Sequence, residues 1–155
     1  MDQKRCYGCM GLRTAPGHIC EHCGYDERTQ NKSHQLPAGT VLHGQYQVGR
    51  VLGQGGFGIT YLGWDLVLDI PVAIKEFYPG GIASRDCTLS PTVTGGDGEL
   101  KMFYEECRSR FLREARTLAR FASDPVIVQV RYFFEANGTA YIIMEYVQGM
   151  DLRKY

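Results

Sequence analysis

Residues 51–65 read VLGQGGFGITYLGWD, and four glycines, Gly53, Gly55, Gly56 and Gly58, fall within six positions. Glycine at that density lets a backbone turn sharply and approach a ligand closely. The stretch therefore poses a choice between a phosphate-holding loop and a plain hairpin turn. The residues after the glycines narrow it. A Walker-type loop needs Gly-Lys-Ser/Thr there, and none is present. A dinucleotide fingerprint needs a helix to open at the last glycine. Here ITYLGWD comes next, β-rich and bounded by a turn, so the glycines join strand to strand.

The rest of the chain bounds the answer. It has 155 residues, 17 Lys+Arg against 17 Asp+Glu, and no formal net charge. Neutrality speaks against generic nucleic-acid binding, which needs a basic footprint. No apolar run approaches the ~20 residues of a membrane span. MDQKRCYGCM lacks the apolar core of a signal peptide. The chain reads as cytoplasmic, where close cysteine pairs point to metal more than to disulfides.

The chain divides into three zones. Residues 1–25 are rich in Cys and Gly, residues 26–39 are polar and read as a linker, and a folded domain occupies 40–155. In that domain YQVGRVL, FGITYLGW and IPVAIKEFY are strands. A long Gly/Pro/Thr-rich loop covers 79–98. A helix is expected from about Glu99 to Ala122, with Asp97 as N-cap. Its apolar residues recur at Phe103, Cys107, Phe111, Ala115, Leu118 and Ala122. VQVRYFFEA and TAYIIMEYV come next as strands, with Asn137-Gly138 as a hairpin turn. GMDLRKY reads as the start of a further helix.

Four of the six cysteines form two tight pairs, Cys6-x-x-Cys9 and Cys20-x-x-Cys23. Four thiolates at this spacing suit tetrahedral Zn²⁺, although an iron site of the rubredoxin type uses the same ligands. Gly11 and Gly24 supply the backbone freedom such turns need. A segment this short cannot bury enough apolar surface to fold alone, and zinc can supply about 10–16 kcal/mol. His18 and His22 sit beside the second pair and read as solvated bystanders. The segment resembles a zinc ribbon. Cys87 and Cys107 read as structural.

Two features decide the glycine stretch. VAIK, Val72 to Lys75, lies in the third strand, so Lys75 comes after an apolar run. Glu114 sits in FLREARTLARF. At about 100° per residue it falls about 20° from Phe103, while Arg110, Arg113, Arg116 and Arg120 point elsewhere. A carboxylate on a buried face needs a partner, and Lys75 is the natural one.

With GQGGFGITY, VAIKEFYP and FEANGTAYIIMEYV in this order, residues 40–155 resemble the N-terminal lobe of bacterial Ser/Thr protein kinases. The resemblance implies an α+β fold, a five-stranded antiparallel sheet plus helix C. It implies that amides of Gly53, Gln54, Gly55, Gly56, Phe57 and Gly58 cover ATP phosphates. Lys75 would contact the α- and β-phosphates, held by Glu114. Leu52, Thr60 and Ala73 would line the adenine pocket, with Met144 as gatekeeper. The Glu145 carbonyl and Val147 amide would bond adenine, and Asp151 would lie near the ribose. Thr60 stands where Val is usual. The loop before the helix is longer than usual and is open to a regulatory contact.

A kinase also needs a catalytic loop H-R-D-x-x-x-x-N and a D-F-G, which hold the proton acceptor and the Mg²⁺ ligands. Neither string occurs here. The expectation is ATP binding without phosphate transfer from these residues alone. The chain then reads as the front end of a full-length kinase, favoured by its stopping in mid-helix. The competing reading is a stand-alone zinc-ribbon and half-kinase module for binding or regulation. Either way, an exposed cleft floor would invite a second copy or a partner. The sequence names no protein substrate.

Overall fold

The computed structural model describes residues 4–120 and 129–146. Strands β1 (Val41–Leu42), β2 (Tyr46–Gln54), β3 (Gly58–Asp65) and β4 (Ile70–Phe77) precede helix α1 (Glu99–Ala119), and β5 (Val130–Ala136) and β6 (Thr139–Glu145) come after it. They form one antiparallel sheet in the order β1-β2-β3-β4-β6-β5. The expected five strands are all present. β1 is an added sixth, two residues long and too short to show a period.

Alternation along β3 and β4 sorts their side chains to two faces. Ile59, Tyr61, Val72 and Ile74 share one face, Phe77 has the opposite parity, and all five enter the main core together with Tyr104, Phe111 and Ala115 of α1. Phe77 lies against two aromatic rings of the helix, 5.2 Å from Tyr104 and 5.4 Å from Phe111. The Tyr104 hydroxyl donates to the Gly138 carbonyl, which ties the helix to the β5–β6 turn. That turn has φ of 53° at Asn137 and 71° at Gly138. Two left-handed residues match the twist of the flanking strands, as the Asn-Gly pair predicts.

The helix differs from its sequence reading in three respects. It ends at Ala119, and Ala122 lies outside the described residues. Gly98, with φ of 59°, takes the N-cap position in place of Asp97, and no side chain caps the helix. Its buried face centres on Tyr104, Phe111 and Ala115, whereas Phe103 is half exposed.

The 26–39 stretch lies against the sheet. Leu36 is fully buried, and its amide donates to the Tyr61 hydroxyl. The 79–98 loop is likewise docked. Ser84 and Thr94 bridge to each other, and Val93 is buried and bonds to Asn137.

Candidate nucleotide cleft and metal knuckle

Cross-strand register builds the cleft wall. Thr60 stands opposite Lys75, Leu62 opposite Ala73, Ala73 opposite Met144 and Lys75 opposite Ile142. Residues paired in this way share a sheet face, so Thr60, Ala73, Lys75 and Met144 present one surface. Ala73 and Met144 are buried there, while Thr60 and Lys75 are half-buried. The β2 register shifts on either side of Val51, and Leu52 packs with Tyr146 on the Met10–Leu62–Trp64 cluster. Glu145 closes β6. Val147 and Asp151 lie outside the described residues.

The glycine stretch is a hairpin turn between β2 and β3, and Gly55 N donates to Gly58 O across it. Nothing lies within 4 Å of where a Cβ would stand on Gly55 or Gly56. A Cβ on Gly58 would come within 2.8 Å of the Glu76 carbonyl, so the last glycine is required by packing. On the far side of the turn, Tyr78 N donates to Phe57 O and Gly80 N to Gly56 O.

The expected Lys75–Glu114 pair is not formed. Glu114 is exposed and lines a shallow cleft with Arg110, Arg113, Thr117 and Leu118. Among the described residues, no ion pair involves Lys75; its ammonium lies 5.9 Å from the Phe111 ring centre. The reason is angular. Glu114 does fall beside Phe103, but Phe103 is itself off the buried face, about 100° from the Tyr104–Phe111–Ala115 centre, and Glu114 lies about 80° from it.

A different carboxylate is buried. Glu76 continues the inward parity of Val72 and Ile74, and neither it nor Arg85 exposes any side-chain surface. Arg85, from the 79–98 loop, grips it with two bonds of 2.7 Å. The Tyr61 hydroxyl donates to one Glu76 oxygen at 2.8 Å and the Tyr141 hydroxyl to the other at 2.7 Å. Burial opposes the Arg85 charge, but the Glu76 carboxylate outweighs it and holds the guanidinium above its ordinary value. Burial, reinforced by Glu76, raises both tyrosine hydroxyls. The strand period marks Glu76 as inward-facing in the sequence; nothing local marks Arg85 as its partner.

The two cysteine pairs converge. The four Sγ atoms lie within 4.8 Å of one another. Cys6 and Cys23 approach to 3.7 Å and Cys9 and Cys20 to 3.9 Å. A tetrahedron with ~2.3 Å metal–sulfur bonds has edges of about 3.8 Å. Amides of Gly8, Gly11 and His22 donate to Cys6, Cys9 and Cys20 sulfurs at 3.2, 3.4 and 3.3 Å. Such bonds orient and stabilise thiolates. Met10 and Gly24 adopt φ of 64° and 78°, completing the two turns. The donor set and its spacing thus fit a single tetrahedral ion. His18 and His22 point away, to Glu27 and to the Leu12 carbonyl. The knuckle rests on the sheet. Met10 is buried against Leu62 and Trp64, and Arg5 lies 3.5 Å over the Trp64 ring.

This arrangement has known counterparts. The chain is 28% identical over 137 residues to serine/threonine-protein kinase B of Synechocystis sp., covering 88% of this chain and 19% of the relative. It is 35% identical over 117 residues to serine/threonine-protein kinase PrkC of Bacillus subtilis, covering 76% of this chain and 15% of the relative. A solved structure titled "PpkA-294 apo form" superposes with a TM-score of 0.70 and 34% identity, over 79% of this chain and 42% of that one. The chain is a homologue of the bacterial Ser/Thr protein kinases, over their N-terminal lobe. It spans less than a fifth of the length of these two curated relatives. No family model matches the chain. In the N-lobe the six-stranded sheet with one helix is the kinase half-barrel, and the knuckle is its N-terminal neighbour. No helix among the described residues is long and apolar enough to cross a membrane.

Proposed function

We propose that this chain is the ATP-binding N-lobe of a Ser/Thr protein kinase that passes the γ-phosphate to protein Ser or Thr hydroxyls, with a structural zinc knuckle at its front. The observation that carries the reading is the shared sheet face of Thr60, Ala73, Lys75 and Met144 beside the glycine turn. The apolar members of that face suit an adenine ring, and the Lys75 ammonium, in no ion pair among the described residues, suits the α- and β-phosphates. Amides of residues 53–58 would cover the phosphates, and ATP with Mg²⁺ supplies the transferable phosphoryl group. Glu114 would meet Lys75 only after α1 turns toward the cleft. Zn²⁺ would be held by Cys6, Cys9, Cys20 and Cys23, where it supplies folding free energy and no chemistry.

Residues 1–155 carry neither the proton acceptor nor the Mg²⁺ ligands of the reaction. They are expected to bind Mg-ATP weakly and to transfer nothing. The test is transfer from labelled ATP to a generic Ser/Thr substrate, with Lys75→Met as control. Transfer no greater than that of the control supports the reading; transfer clearly above it refutes the division of labour.

A further inference from the structure

β2 is paired by β3 along its length, but β1 covers its other edge only at Tyr46 and Gln47. Beyond that point, residues that precede β1 take over the edge. Val48 O accepts from Gly39 N, and Gly49 O accepts from the Asn31 side chain. Arg50 donates its amide to Tyr7 O and its Nε to Gly8 O. Leu52 packs on the cluster that contains Met10. At the far end, the Gln54 Oε1 accepts from Gln35 Nε2 and from His34 Nε2, each at 2.9 Å. The grips at residues 50, 52 and 54 run from the metal knuckle to the first residue of the glycine turn.

The last grip is itself anchored. Gln35 is buried, and its Oε1 accepts from the Lys32 amide. The His34 carbonyl accepts two bonds from Arg85, at 2.9 and 2.7 Å, and Arg85 is locked on Glu76. A chain of contacts therefore joins the strand residue beside Lys75 to the incoming arm of the turn, at the end of β2. The other arm is held by Gly80 and Tyr78. An exposed turn with three glycines loses much conformational freedom on ordering around a ligand. Holding both arms in advance reduces that cost.

We propose that His34 and Gln35 are positioning residues for the nucleotide phosphates, acting through the Gln54 side chain on the glycine turn. The proposal rests on the nucleotide reading above. It concerns the phosphate arm and leaves the adenine wall untouched.

The test uses the zinc-loaded chain and the variants His34→Ala, His34→Gln and Gln54→Leu. Amide hydrogen exchange at residues 55–58 is measured without nucleotide, then affinities for Mg-ATP and for adenosine. His34→Ala and Gln54→Leu are expected to speed exchange and to weaken Mg-ATP about fivefold, the weight of one net hydrogen bond. Adenosine affinity stays within about twofold, because its contacts lie on the sheet face. His34→Gln, which keeps a donor, restores both readouts. Unchanged exchange in both variants, or equal losses of Mg-ATP and adenosine, overturns the proposal. A wild-type chain that binds neither ligand overturns the nucleotide reading and the phosphate role with it. A wild type that binds, with variants that behave identically, overturns the brace alone.

Discussion

Glu76 and Arg85 meet in a two-pronged ion pair from which solvent is wholly excluded, each N–O distance being 2.7 Å. One residue belongs to the strand that carries Lys75, the other to the long loop before the helix. The pair therefore makes that loop part of the lobe's framework.

Breaking one side leaves a buried charge without its partner. Arg85→Met should cost about 3–5 kcal/mol in urea unfolding, whereas Glu76→Met with Arg85→Met should recover most of it. Equal stability of the single variant and the wild type would remove the pair from the framework.

Glu114 offers the opposite expectation. It is exposed in this structure. Glu114→Gln should change the chain's stability by no more than about 0.5 kcal/mol. A loss of several kcal/mol would mean that Glu114 is buried and paired in solution.

The glycine turn separates packing from ligand roles. Gly58→Ala drives a Cβ against the Glu76 carbonyl and should destabilise by about 1–3 kcal/mol, read from the thermal midpoint. Gly56→Ala meets nothing within 4 Å, so its effect should fall on nucleotide binding. Equal stability losses in both variants would contradict this division.

Metal binding by the knuckle should depend on pH. Burial pushes the metal-free Cys6 thiol up to about 12. At Cys20 burial raises the value, but the Cys23 and His22 amides and the neighbouring thiols outweigh it and bring it to about 6. At neutral pH the metal must then displace the Cys6 proton, so zinc affinity should rise about tenfold per pH unit for each proton released. Affinity measured by chelator competition from pH 6 to 8 checks this, and a flat profile would contradict it. Glu21 acts in the same direction. Amides of Thr14 and Ala15 and the Arg13 guanidinium hold its carboxyl at about 2, below its ordinary 4.5. Its contribution to the knuckle is full above the ordinary value and is lost as pH falls through about 2.

Much of this architecture is legible in the sequence. The Cys6–Cys9 and Cys20–Cys23 spacing announces the knuckle because each pair closes its own short turn, with amides directed at sulfur. The Asn137-Gly138 turn, the strands and the glycine hairpin are legible because period and turn chemistry act over a few residues. Glu114 is harder to place, because its angle is measured from Phe103, and Phe103 is the one described member of its apolar stripe that is exposed, while Phe111 and Ala115 are buried and Cys107 and Leu118 pack against the core. The Arg85–Glu76 pair and the His34–Gln54 grip join residues 9 and 20 positions apart through loops. No periodicity reports on such contacts. The 26–39 stretch reads as a linker from its polarity, yet its polar groups bond to the sheet.

The proposed function depends above all on Lys75 and the glycine turn holding a nucleotide between them. A Mg-ATP titration of the zinc-loaded chain, monitored by amide NMR shifts at residues 53–58 and 73–75, decides this beside the same titration of Lys75→Met. The wild type should show saturable shifts, and the variant an affinity at least about tenfold weaker, the loss expected for one charge-assisted phosphate contact. No shift at millimolar Mg-ATP, or the same affinity in both chains, would refute the nucleotide role.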